Sequence, residues 1–149
     1  MGTAVNPPDL HTPPRTRRDP RYQAYLVLRS AFVLAPILFG LDKFPNLMVR
    51  WDQYLAPPLA SALPVSPHQA MYAVGVVEVL AGLLVLFHPR LGAVVVAVWL
   101  GGIILNLLLI PGFYDVALRD FGLLLAAIAL QRLATSFAAR PLLWPLRKA

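Results

Sequence analysis

The chain has 149 residues, of which 58% are hydrophobic and 13% charged, with a mean hydropathy of +0.66; a soluble domain carries roughly 25% charged residues, so this composition points to a membrane protein. It has no cysteine, which excludes a catalytic thiol, a disulfide relay and a thiolate metal site. The net charge of +6 does not argue for nucleic acid, because the basic residues gather toward the two ends of the chain instead of forming one patch.

Residues 1–21 hold Pro7, Pro8, Pro13, Pro14 and Pro20 among polar and basic residues, and read as a disordered tail without the apolar core of a signal peptide. A first helix is expected over 22–43; Pro36 inside it removes a backbone donor and predicts a kink. The segment Pro45–Gln69 is the one long connection. Leu55–Leu63 within it is too short to span a bilayer and reads as an interfacial or re-entrant piece, with Trp51 and Tyr54 suited to an ordered cap. Further helices are expected over 69–88, 90–110 and 115–138, separated by a tight turn at His88-Pro89-Arg90 and a break at Pro111-Gly112, with Asp115 as the N-cap of the last.

Each of these apolar runs approaches the roughly 20 residues that cross a hydrocarbon core of about 30 Å, and each is continuous instead of alternating, which favours helices over barrel strands. The expected fold is therefore all-α: a polytopic membrane protein whose residues 22–140 form an antiparallel four-helix transmembrane bundle, followed by a basic tail, 141–149. Arg15, Arg17, Arg18, Arg21, Arg90, Arg132, Arg140, Arg147 and Lys148 fall on one side, and Lys43, Arg50 and Arg119 on the other. By the positive-inside bias both termini are cytoplasmic, in a cell (inner or plasma) membrane. Arg29, inside the first helix, reads as a residue that snorkels to the inner interface or meets lipid phosphate.

Glu78 is the only glutamate of the chain and the only charge between Ala70 and Phe87. A carboxylate in a spanning helix is costly unless paired, protonated or hydrated, and marks a functional site by default. Counted at about 1.5 Å per residue, it lies roughly 12 Å from the outer start of its helix, and Asn106 about 6 Å from the outer end of the next. Asp42 and Lys43 close the first helix, and Asp115, Arg119 and Asp120 open the last. Every helix thus contributes a polar group to the outer half. Small residues share their faces: Gly40 with Lys43, Gly75 and Gly82 with Glu78, Gly102 with Asn106 and Trp99, Gly122 and Ala126 with Arg119. Three readings stay open. In a structural clamp, Glu78 pairs with Arg119 or Lys43 and Asn106 bridges them. In a pocket, the cluster binds a polar head such as a quinone ring under a lid of Trp51 and Tyr54. In a conducting site, Glu78 carries protons or ions. His11, His68 and His88 lie in the tail or loops, so no haem or other metal site is expected, and no cofactor beyond a quinone suggests itself.

The segments Phe39-Gly40-Leu41-Asp42-Lys43-Phe44, Gly75-Val76-Val77-Glu78-Val79-Leu80-Ala81-Gly82 and Tyr114-Asp115-Val116-Ala117-Leu118-Arg119-Asp120 resemble, in order and spacing, the DoxX-like family of small four-helix membrane proteins, over residues 22–136. The resemblance implies an accessory subunit or partner of a membrane oxidoreductase or respiratory complex. Its partners would be lipid and other membrane or redox-complex subunits, with homo-oligomerisation open and no nucleic acid. A catalytic quinone-linked subunit, similar to that of a thiosulfate:quinone oxidoreductase, is the first alternative, and a small transporter the second.

Overall fold

The computed structural model describes residues 19–137. Most of the proline-rich tail, with Arg15, Arg17 and Arg18, and the basic C-terminal segment, with Arg140, Arg147 and Lys148, lie outside the described residues. Within them the protein is helical and contains no strand: α1 (Pro20–Asp42), a single 3-10 turn (Trp51–Tyr54), α2 (Pro57–Ala62), α3 (Pro67–Phe87), α4 (Pro89–Leu108) and α5 (Tyr114–Phe137). Three of these helices, α1, α3 and α4, are long and apolar enough to cross a membrane. α5 has similar length but carries Asp115, Arg119, Asp120 and Arg132.

Local chemistry accounts for the boundaries. α1 and α3 each start two residues before the expected position, because Pro20 and Pro67 occupy the first helical turn, where a missing N–H costs nothing. Asp19 caps α1 by accepting from the Arg21 N–H at 2.9 Å. Ser66 and Gln69 form a reciprocal capping box on α3. His88 alone ends α3 and precedes Pro89 of α4. Asp115 is not the N-cap of α5, which already begins at Tyr114; its carboxylate turns to Arg119 instead. Gly112 turns the chain between α4 and α5 at φ 92°, a conformation open chiefly to glycine. α1 runs on past Pro36 to Asp42 as one helix.

α1 crosses α3 closely at Gly40 and Gly75: a Cβ added to either would lie 2.6 Å from the carbonyl oxygen of the other. α3 in turn packs on α4, and α4 on α5. α5 returns to α1 through Tyr22, Tyr25 and Phe137, with ring centroids of the tyrosines 5.5 and 5.9 Å from that of Phe137. At this same end two arginines bind backbone carbonyls. Arg29 donates to the Leu86 carbonyl at 2.5 Å, and Arg90 donates to those of Ala134 and Thr135 at 3.1 and 2.8 Å. Arg29 thus caps α3, where a cation also complements the helix dipole. The outward faces are apolar: Val27, Val98 and Leu118 are each about 70% exposed, as expected where lipid is the solvent.

Candidate functional site

The opposite end of the molecule carries the long connection and most of the polar groups. Lys43, the C-cap of α1, is buried and donates to Glu78 of α3 at 2.6 Å. The close approach at Gly40 and Gly75 brings the two residues together, and the Lys43 side chain passes 3.2 Å from where a Gly75 Cβ would stand. The ammonium also lies 3.7 Å from the centre of the Trp51 ring, a cation–π contact that completes its enclosure. Of the two partners the sequence offered Glu78, the nearer helix end supplies the real one.

Neighbouring residues take other tasks. Asp42 is buried but does not join the pair; its carboxylate accepts from the Leu47 and Met48 N–H groups at 3.1 and 3.2 Å and from the Trp51 indole at 2.8 Å. It therefore folds the connection back over the end of α1, helped by Asn46 at φ 52°. Asn106 does not bridge Glu78 to a cation. Its carbonyl accepts from Ala56 N–H at 2.9 Å and its amide donates to the Tyr54 carbonyl at 2.6 Å, tying the connection to α4. Arg119 does not reach Glu78 either; it donates to Asp115 at 2.8 Å, one turn back, in an exposed pair. Asp120 is half-buried and faces inward.

Trp51 and Tyr54, the expected lid residues, pack on each other and both line the cavity beneath them, as its roof. Phe39, Trp51, Tyr54 and Phe113 make a continuous aromatic row from α1 to the α4–α5 turn, with successive centroids 5.9, 5.8 and 5.1 Å apart. On its outer side His68 contacts Tyr72 at 2.7 Å and Asp52 at 3.5 Å, and fastens the 3-10 turn to α3. The i, i+4 spacing of His68 and Tyr72 is visible in the sequence; its link to Asp52 depends on the folded connection.

Under this roof is a cavity of about 770 Å³. Leu28, Ala35 and Phe39 of α1 and Val116, Leu123 and Ala126 of α5 line it on two sides, and Lys43, Glu78, Trp99, Asn106, Arg119 and Asp120 supply its polar groups. Gly102 and Gly122 do not serve the helix packing expected of them: a Cβ on either meets nothing within 4 Å, and Gly102 lies on the cavity wall. Trp99 was missed as a site residue. Its indole is close enough to interact with the Glu78 carboxylate, yet its buried N–H makes no hydrogen bond of ordinary geometry. Among the described residues no group of three or more histidine and acidic side chains could hold a metal ion. An apolar chamber of this size with a few convergent polar groups suits an amphipathic small molecule.

An all-helical fold with three helices long and apolar enough to cross a membrane marks the class as a helical membrane protein. No protein-family model matches the chain, and neither a curated protein nor a solved structure matches it. The DoxX-like resemblance rests on its three motifs alone.

Proposed function

We propose that the four long helices form an antiparallel transmembrane bundle, and that the protein is a non-enzymatic accessory subunit of a membrane oxidoreductase or respiratory complex that holds a quinone or a lipid beneath its aromatic roof. The cavity carries this reading: it is apolar over most of its wall, polar at one end, and large enough for a ring or headgroup with part of a tail. The association with a redox complex comes from the motif resemblance. The clamp reading applies to Lys43 and Glu78 themselves, which close on each other at 2.6 Å and leave the chamber open beside them.

The test is purification of the full chain in mild detergent, with identification of co-eluting proteins and extraction of bound lipids and quinones. The expected result is a stoichiometric amphipathic molecule and a co-purifying membrane subunit. A Cβ at Gly102 meets nothing within 4 Å and the residue lies on the cavity wall, so Gly102→Leu should fill the cavity and lose the molecule while the fold persists. Recovery of the same molecule at wild-type stoichiometry from Gly102→Leu would refute the pocket.

A further inference from the structure

Two cations, Lys43 and Arg119, and two acids, Glu78 and Asp120, line the cavity, but their short contacts do not pair them all. Lys43 is cancelled by Glu78 at 2.6 Å, and Arg119 by Asp115 at 2.8 Å. Asp120 is left over: half-buried, on the cavity wall, with no hydrogen bond or ion pair to any of the described residues. Arg119, its sequence neighbour, makes no hydrogen bond or ion pair with it and donates to Asp115 in an exposed pair. A carboxylate facing an apolar chamber is stable only when protonated, hydrated or paired, and an anionic head would set a like charge beside the one lining acid that has no short contact.

Aromatic surface surrounds the same space. Trp51, Tyr54 and Trp99 all line it. Acidic oxygen combined with aromatic faces and an apolar wall is complementary to an ammonium carried on a hydrocarbon body. Resting on the pocket proposed above, we infer that its preferred occupant is a lipophilic ammonium, with Asp120 as the counter-ion and the chain of the ligand along the Leu28 and Leu123 walls. The ammonium belongs to an aminophospholipid headgroup or to a free long-chain amine; the two share the recognition chemistry.

The experiment uses the full chain in nanodiscs and follows tryptophan fluorescence on titration with dodecylamine, dodecanol, dodecanoate and a decyl-substituted quinone, beside native mass spectrometry of protein from membranes containing phosphatidylethanolamine and phosphatidylglycerol. Dodecylamine is expected to bind best. Asp120→Asn should weaken it about tenfold, the scale of one charge-assisted contact, and Asp120→Glu should restore it. Retained phosphatidylethanolamine identifies the lipid as the source; saturable binding of dodecylamine without retained lipid identifies the free amine. Equal binding of dodecanol, dodecanoate or the quinone, or unchanged amine binding by Asp120→Asn, overturns the ammonium inference while the pocket stands. Wild-type binding of every probe by Gly102→Leu overturns the pocket itself.

Discussion

Lys43 and Glu78 show how a buried charge is tolerated at this depth. The two side chains are 4% and 12% exposed, and their contact is 2.6 Å. Removing one member of such a pair leaves the other desolvated and uncompensated, at a cost of about 3–5 kcal/mol, whereas replacing both by apolar groups of similar size is often close to neutral. Glu78→Gln and Lys43→Met should therefore each lower the thermal midpoint sharply, while the Lys43→Met/Glu78→Leu double variant recovers most of the loss; a double variant as unstable as the sum of the singles would contradict the clamp. The pair was half legible in the sequence. A lone glutamate in an apolar run calls for a partner, and Lys43 at a helix end beside Gly40 is one of two candidates. The choice between Lys43 and Arg119 was not legible, because Arg119 has an acidic residue four positions earlier and that local pairing needs no tertiary contact. Asp120 was named among the polar groups of the outer half and Trp99 was not, but the missing hydrogen-bond partner of each was not legible, since it follows only from where the other polar groups turn.

At the level of elements, the aromatic roof is held by two residues that look alike in sequence to members of the cluster below it. Asp42 fixes its first half through three hydrogen-bond donors, and Asn106 its second half through two backbone groups of the connection. The helices were legible to within a few residues, because apolar runs bounded by proline, serine and glycine state their own limits. The connection was legible only as ordered. Its route depends on which backbone groups find Asp42 and Asn106, and residue spacing does not encode that. Asn106→Leu removes both anchors to the roof and leaves the Ala56 N–H and Tyr54 carbonyl unpaired, at about 1–3 kcal/mol for each buried group. Limited proteolysis of this variant should cut between Leu55 and Val65 well before the helices, while helical circular dichroism is retained; an unchanged cleavage rate would show that Asp42 and the aromatic row hold the roof unaided.

Across the whole molecule the two ends differ in how they use their cations. At the loop end Lys43 and Arg119 are each matched to a carboxylate, and only Arg50 there has no ion pair among the described residues. At the other end Arg29 and Arg90 are matched to carbonyls, which satisfy their geometry but not their charge, so this end retains positive charge in addition to Arg132. Juxtamembrane arginine and lysine resist transfer across the bilayer, and the count of such residues orients a polytopic protein. The proposed bundle should accordingly place the Arg90 end in the cytoplasm and the roof outside. Because the chain contains no cysteine, a single introduced thiol reports its own side without background. Ser61 is exposed on α2, and Thr135 is exposed on α5 at the Arg90 end, so Ser61→Cys and Thr135→Cys report the two ends. A membrane-impermeant maleimide added to intact cells should label the first and reach the second only after permeabilisation. Labelling of Thr135→Cys alone in intact cells would invert the topology. Labelling of both would place the two ends on one side and remove the transmembrane bundle on which the cavity depends.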